Sequence, residues 1–200
     1  MNEMIDKREL IVQAAISLFV KRGFDDVSIA DIVQAADVSK GALYYYFSSK
    51  DHLITQVFWR CHKESEAACM EGLDKIPDAA DKLCRRLRNI VAWAIGHPDE
   101  HGIVCLYFSS PQYTSKRGYQ YHLLHFEGVD GIVREGLKKG QLREMPPILL
   151  GELFYNMAAA VLNFVQSDPE MLNDEDFWKT IGDTLYRTFA SPDKDEKGQG

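Results

Sequence analysis

A short run of residues near the N-terminus carries side chains that suit contact with a nucleic acid. The polar side of this run consists of Ser39, Lys40, Gly41, Ala42, Tyr44 and Tyr45. The serine and the lysine can reach phosphates or base edges, the alanine can lie against a thymine methyl group, and the tyrosines can donate hydrogen bonds to phosphates. The glycine has no side chain, so the backbone can come close to a duplex. A few residues later, Lys50 can pair with a phosphate at the start of a helix, where the helix dipole favours an anion.

The elements that must position these side chains are three helices and the start of a fourth. Apolar residues from Ile11 to Phe19 follow the helical period, and Gly23 ends this first helix. Ser28 is predicted to cap a short second helix, with Asp31 as its capping-box partner. Ser39 is predicted to cap a third helix that runs to about residue 46, with Leu43 and Phe47 pointing inward. Ser48 or Ser49 caps a fourth helix, which is predicted to run to about Leu73. Two short helices joined by a tight turn at 36–38, after a longer first helix, predict a helix-turn-helix.

The run from Val27 to Lys50, together with the end of the preceding helix at Gly23-Phe24, resembles the N-terminal signature of the TetR (tetracycline repressor) family. The resemblance covers about the first 55 residues, and beyond them only length, helix number and layout agree. It implies an all-α fold of about nine helices, three for DNA and six for ligand binding and dimerisation. It also implies a ligand-responsive DNA-binding transcriptional regulator, most simply a repressor that a small hydrophobic or aromatic effector releases from a palindromic operator.

Carried over position by position, the resemblance implies a set of DNA-binding residues. These are Ser28, Ser39, Lys40, Gly41, Ala42, Tyr44, Tyr45 and Lys50. Ser28 would contact a phosphate at the N-terminus of the second helix, and Lys50 would clamp another. Three positions depart from the family's pattern. Asp37 stands where glycine is usual in the turn, and aspartate tolerates the left-handed region. Ala42 replaces a common threonine and Tyr46 a frequent histidine, so the operator sequence stays open.

The rest of the chain predicts a larger helical domain. We expect a DNA-binding domain at 1–52, a ligand-binding and dimerisation domain at 53–190 and a disordered tail at 191–200. Helices are predicted at about 78–95, 115–139, 148–165 and 174–189. The apolar stretch at 103–108 fits a short buried helix or, less well, a strand.

A homodimer is expected through about 148–165 and 174–189. The first of these helices is apolar over more of its circumference than one monomer core requires. Gly151 and the alanines at 158–160 would let helices approach closely. A central monomer helix is the alternative reading. Dimerisation also follows from the DNA side, because one short helix reads only a few base pairs and two-fold symmetry doubles its contacts.

Aromatic and polar residues concentrate between Trp93 and Phe126, with more on the next long helix, and suggest a largely apolar pocket. The candidate ligand-binding residues are Trp93, Tyr107, Phe108, Tyr121, His125, Phe154 and Met157. A metal site is disfavoured, because His122 and His125 lack a third ligand at an obvious spacing and Pro98 interrupts any helix between His97 and His101. No cofactor is expected, and the four scattered cysteines are expected to be buried thiols.

Composition limits the function classes. The net charge of −7 argues against broad polyanion binding, although residues 38–50 hold two lysines and no acid. The most apolar stretch is interrupted by Glu152, Asn156 and Asn163, and the N-terminus is polar. We therefore expect a cytoplasmic protein without a membrane-spanning segment. Nucleophile-elbow, zinc-protease, phosphate-loop and dinucleotide motifs are absent, so an enzyme is not expected. Two rival classes remain: a DNA-binding regulator that a protein partner governs without a small ligand, and an all-α enzyme or metal-binding bundle.

Overall fold

The computed structural model describes residues 6–110 and 127–192. This part of the chain contains nine α-helices and no β-strand, apart from an isolated antiparallel bridge between Leu142 and Ala190. The helices are α1 (Lys7–Arg22), α2 (Ile29–Ala35), α3 (Lys40–Tyr46), α4 (Lys50–Cys69), α5 (Ala79–Gly96), α6 (Pro98–Ser109), α7 (Glu127–Lys138), α8 (Pro147–Ser167) and α9 (Glu175–Phe189), with short 3₁₀ helices at Leu73–Lys75 and Pro169–Asn173. The all-α class predicted from the sequence is confirmed.

The described chain forms two compact units. The first comprises residues 6–64 and 97–110, and the second comprises 65–96 and 127–192. Helix α6 packs against α1 and joins the first unit. Gly102 permits that packing: a Cβ there would lie 3.2 Å from Cγ2 of Val20. The domain boundary expected near residue 52 stays a prediction. Helix α4 runs through the division, so its first part belongs to the first unit and its last turn to the second.

Local capping fixes the ends of the helices in the first unit. Gly23, at φ +77°, ends α1 and donates its N–H to the carbonyl of Phe19 at 2.7 Å. Ser28 and Asp31 form the expected capping box at the start of α2. Asp37 adopts φ +51° in the turn between α2 and α3, as expected for an aspartate that replaces glycine. These caps confirm the predicted limits of the first three helices.

Two elements differ from the sequence-based expectation. Helix α4 ends at Cys69 rather than near Leu73, because Gly72 takes up the left-handed conformation (φ +75°) and a 3₁₀ turn follows. The apolar stretch at 103–108 is part of a longer helix, α6. Pro98 opens that helix at its first position, where its missing N–H costs nothing.

In the second unit α5 packs against α7, α8 and α9. The centre of this core includes Leu87, Val91, Phe154, Leu185 and Phe189, all almost fully buried. Helix α8 is long and apolar enough to cross a bilayer by length and composition, with a mean hydropathy of 1.6 over 18 residues. A core helix of a soluble protein passes the same test, and seven residues of α8 are buried in this core.

Two predictions reach beyond the described residues. Of the helix predicted at 115–139, the structure describes Glu127–Lys138, and Gly140 follows it at φ +62°, as expected for a helix end. Of the predicted tail at 191–200, residues 193–200 lie outside the described part.

Candidate nucleic-acid interface

Helix α3 is short and held in place from one side. The Ser39 hydroxyl accepts a hydrogen bond from the backbone N–H of Ala42 at 3.1 Å, which caps the helix. Leu43 and Phe47 are 0% and 1% exposed, so they anchor α3 in the first unit. The Arg8 guanidinium lies 5.6 Å from the centre of the Phe47 ring and adds a cation–π contact. With these anchors on one side, the opposite side of the helix faces outward.

The outward side of α3 carries most of the residues expected to bind DNA. Ser39, Lys40, Gly41, Tyr44 and Tyr45 are exposed, whereas Ala42 is half-buried. The Tyr45 side chain is 83% exposed and Tyr44 is 46% exposed. The Lys40 ammonium lies 5.9 Å from the centre of the Tyr44 ring. A seven-residue helix that leaves two tyrosines and a lysine in solvent offers hydrogen-bond donors and one positive charge to a partner.

The Ser28 hydroxyl is exposed, but its own helix already uses it. It accepts from the Asp31 N–H at 3.1 Å and donates to Asp31 Oδ2 at 2.6 Å. The hydroxyl and the backbone N–H of Ser28 both donate to the Asp31 carboxylate, and these two hydrogen bonds lower the pKa of Asp31, so its carboxylate is charged at neutral pH. A phosphate at this point would meet that negative charge.

Arg22 is the cation beside this cap, and the sequence reasoning did not select it. Its Nη1 lies 3.5 Å from Asp31 Oδ1, and its Nη2 donates to the carbonyl of Asp26 at 2.6 Å. The side chain is 44% exposed. The signal in the sequence was its place in the last turn of α1.

Lys50 begins α4 and is half-buried. Its ammonium is 3.4 Å from the carbonyl oxygen of Asp25, a long and weak hydrogen bond. Ser49 caps α4 by accepting from the His52 N–H at 3.0 Å, and the His52 ring accepts at Nδ1 from the Ser48 N–H at 3.1 Å. These hydrogen bonds fix the first turn of α4, and the Lys50 contact joins that turn to the loop that precedes α2.

The residues predicted to bind a ligand divide between the two units. Tyr107 and Phe108 belong to the first unit, where the Tyr107 ring stacks on Phe58 with centroids 3.8 Å apart. Trp93 and Phe154 are buried in the core of the second unit, and Met157 packs against that core half-buried. Tyr121 and His125 lie outside the described residues.

Sequence reasoning missed a buried charged cluster in the second unit. Arg86 on α5 is 0% exposed, and its Nη2 donates to Glu66 Oε1 at 2.7 Å and to the Tyr155 hydroxyl at 3.5 Å. Burial raises the pKa of Tyr155 to about 12. Burial lowers the pKa of Arg86, but Tyr155 and Glu66 outweigh it and hold that pKa above its ordinary value. A signal was present, because Arg86 lies three residues after Leu83 and directly before Leu87, and both leucines are buried.

The histidine-rich middle brings one histidine and one cysteine together. Cys105 Sγ lies 3.5 Å from His101 Nδ1 on α6. Burial lowers the pKa of His101. The expectation of four buried thiols is wrong for Cys105, which is exposed, and Cys84 is only half-buried, whereas Cys61 and Cys69 are buried. Within 6–110 and 127–192, no group of three or more histidine, cysteine, aspartate or glutamate side chains stands close enough to hold a metal ion. His122 and His125 fall outside these ranges.

Helix α8 exposes a row of large apolar side chains. Ile148, Leu149, Leu153 and Phe164 are between 39% and 50% exposed in the isolated chain. The small residues divide differently from the expectation: Gly151 and Ala158 are buried inside the unit, and Ala159 and Ala160 are exposed. The exposed alanines and the large apolar residues together form an apolar surface that is exposed to solvent in the monomer.

Comparison with known sequences finds a described family that matches part of the first unit. The sequence model for “Bacterial regulatory proteins, tetR family” matches residues 11–57, from α1 into α4. The chain is 25% identical to YfiR of Bacillus subtilis, an uncharacterised HTH-type transcriptional regulator, over 80% of this chain and 81% of that one. It is 30% identical to the HTH-type transcriptional repressor DhaR of Mycobacterium sp. GP1, over 51% of this chain and 50% of DhaR.

Solved structures share the fold. A protein described as a tetR-family transcription regulator from Shewanella sp. PV-4 superimposes with a TM-score of 0.81 at 23% identity, covering 92% of this chain and 98% of that one. The SmeT–triclosan complex superimposes with a TM-score of 0.69 at 16% identity, over 93% of this chain and 92% of SmeT. At these identities the similarity concerns the fold alone.

Proposed function

Because the chain belongs to the tetR family of bacterial regulatory proteins, whose members regulate transcription, we propose that it is a cytoplasmic, dimeric repressor that a small apolar effector releases from a palindromic operator. The single observation that carries the DNA-binding half is the outward side of α3. Leu43 and Phe47 anchor that helix, while Lys40, Tyr44 and Tyr45 stand in solvent.

In this proposal α3 enters the major groove. Lys40 and Ala42 contact base edges, and Ser39, Tyr44 and Tyr45 contact phosphates or thymine methyl groups. Gly41 permits close approach of the helix backbone. Ser28 and Lys50 contact phosphates on either side, and Arg22 offsets the charge of Asp31 next to Ser28. Neighbouring acidic residues keep the net positive charge of this surface small, so the affinity for DNA depends on these few cationic side chains.

The dimer forms through the exposed apolar face of α8, with α9 beside it. Burying Ile148, Leu149, Leu153 and Phe164 removes apolar area from water, at about 25 cal/mol for each Å². The exposed alanines at 159 and 160 let the two copies of α8 approach. A two-fold dimer would present two α3 helices to successive major grooves, about 34 Å apart.

The effector binds in the second unit, among residues that include Trp93, Phe154 and Met157. The candidates Tyr107, Phe108, Tyr121 and His125 keep the status of predictions. SmeT, which shares the fold, has been solved with triclosan, an aromatic apolar molecule. Binding would act on α4, because its last turn belongs to the second unit and its first turn carries Lys50. A complete switch requires the effector to prefer the released form by about 5.5 kcal/mol.

Selection of bound duplexes from a random pool by the purified protein tests the DNA-binding half. We expect a palindrome to be enriched, with a molar ratio of one dimer per duplex. Tyr45→Ala should abolish enrichment, and Lys63→Ala, an exposed change further along α4, should not. A pool that stays random with the folded wild-type protein would overturn the proposal.

The proposed response to an effector is tested by measuring the protein's affinity for the selected operator, with and without triclosan and a panel of other apolar aromatic compounds. At least one compound should weaken operator binding. If all of them leave the affinity unchanged, the alternative is favoured, in which a protein partner governs the same DNA-binding regulator.

A further inference from the structure

Within the described part of the chain, Arg86 makes hydrogen bonds through one of its three guanidinium nitrogens. Its Nη2 donates to both carboxylate oxygens of Glu66, at 2.7 and 2.9 Å, and to the hydroxyl of Tyr155. Among the described residues, Nε and Nη1 have no hydrogen-bond partner although both are buried. Buried N–H groups in native proteins are almost always paired with protein, water or a bound molecule. The unpaired nitrogens therefore indicate an acceptor from outside the described chain.

Four helices of the second unit meet at this guanidinium. Glu66 lies in the last turn of α4, Arg86 on α5, Gly128 on α7 and Tyr155 on α8. A Cβ added at Gly128 would collide with Glu66 Oε2 and lie 2.9 Å from Arg86 Nη1. Because Gly128 has no side chain, the backbone of α7 can pack directly against the Arg86–Glu66 ion pair. A few converging polar groups within an apolar core are typical of small-molecule sites between helices.

The charges of the cluster are already balanced. Glu66 neutralises Arg86. Burial raises the pKa of Tyr155 to about 12 and that of Cys69 to about 11, so both are neutral at pH 7. A second carboxylate would lie close to Glu66 with no cation left to balance it. A neutral oxygen can accept from Nε or Nη1 without that repulsion, and the charged donor strengthens the bond.

We infer that Arg86 is the polar anchor of the effector site, and that it selects apolar molecules with a neutral acceptor, such as a carbonyl or ether oxygen, over carboxylates. This inference rests on the proposed function only in calling the bound molecule an effector, since binding itself requires no DNA. The place of Glu66 on α4 gives the ligand contact a direct connection to the helix that begins at Lys50.

Titration calorimetry of the full-length, DNA-free protein tests the inference with three probes that share a phenyl ring. The probes are acetophenone, isopropylbenzene and benzoate. Acetophenone should bind roughly tenfold more tightly than isopropylbenzene, and benzoate more weakly than acetophenone. Arg86→Met should remove the preference for the ketone over isopropylbenzene. Arg85→Met, at the exposed neighbouring position, is the control and should keep the wild-type order. Tighter binding of benzoate, a ketone preference that survives Arg86→Met, or no binding of any probe overturns the inference.

A measurement on the wild-type protein covers the case in which Arg86→Met fails to fold, since that change leaves Glu66 without its partner. In protein labelled with ¹⁵N-arginine, we expect the Arg86 Nε–H to be the arginine resonance most protected from exchange with water, because Arg86 is the one fully buried arginine among the described residues. Acetophenone should shift it, and isopropylbenzene should not. An unshifted resonance at saturating acetophenone overturns the inference. A failed operator selection would instead contradict the proposed function, and the calorimetric and NMR results would still decide the inference about Arg86.

Discussion

Arg60 on α4 donates from Nη1 to both carboxylate oxygens of Glu9 on α1, at 2.7 Å each. The same guanidinium donates from Nε to Glu64 at 3.1 Å. Both partners of the first pair belong to the first unit, so the pair fixes the middle of α4 against α1. The hydrogen bond from Arg60 holds the pKa of Glu9 below its ordinary value.

Glu9→Gln should lower the free energy of unfolding by about 0.5–1 kcal/mol at neutral pH, a modest loss because solvent screens this half-exposed pair. The folded state lowers the pKa of Glu9, so the stabilisation is present above the unfolded value of 4.5 and is lost as the pH falls through the folded value. Urea unfolding of both proteins at about pH 7 and about pH 4 measures this. Glu64→Gln, which removes only the contact within α4, should cost less. A difference that stays constant with pH would contradict the prediction.

Ser39 caps α3 and also faces outward, and two substitutions separate these roles. Ser39→Ala removes the cap and should destabilise the protein by about 1 kcal/mol. Ser39→Asp supplies another good cap and should keep the wild-type melting temperature, but its charge would face phosphates and weaken operator binding. Thermal unfolding and fluorescence anisotropy with the selected operator measure the two effects. Wild-type affinity in Ser39→Asp would show that this end of α3 does not approach DNA.

Lys50→Ala should weaken binding to the operator and to unrelated duplexes by the same factor, because a phosphate contact carries no sequence information. The slope of log affinity against log salt should fall by about 1. Lys63→Ala, an exposed change elsewhere on α4, should leave both quantities unchanged. Lys40→Ala should instead alter the preferred bases. Unchanged affinity in Lys50→Ala would exclude the proposed clamp.

Gly128 and Gly131 lie on the same helix in different surroundings. A Cβ at Gly128 would meet Glu66 and Arg86, whereas nothing lies within 4 Å of one at Gly131. Gly128→Ala should therefore destabilise the protein by about 1–3 kcal/mol through overpacking. Gly131→Ala should stabilise it by about 0.5–1 kcal/mol, because alanine favours a helix. Chemical denaturation of both variants measures this, and equal effects would argue against close packing of α7 on the ion pair.

Features that depend on neighbours a few residues apart could be predicted from the sequence. Ser28 with Asp31, Ser39 with the Ala42 N–H and Gly23 after α1 each form their hydrogen bonds within four residues. Asp37 enters the left-handed region for the same local reason. The end of α4 was missed, because apolar residues continue to Leu73 while Gly72 turns the backbone. Residues outside the described ranges, Tyr121 and His125 among them, keep the status of predictions.

By itself, the amino-acid sequence determined where α2 and α3 begin and end, because turns and caps depend on atoms that are close along the chain. It also determined which side of α3 carries polar groups. Only the tertiary structure decided that Arg86 meets Glu66, 20 residues away, and Tyr155, 69 residues away, and that α6 packs on α1. A buried cation can be stable only where distant helices bring its partners, and no local pattern specifies which helices those are.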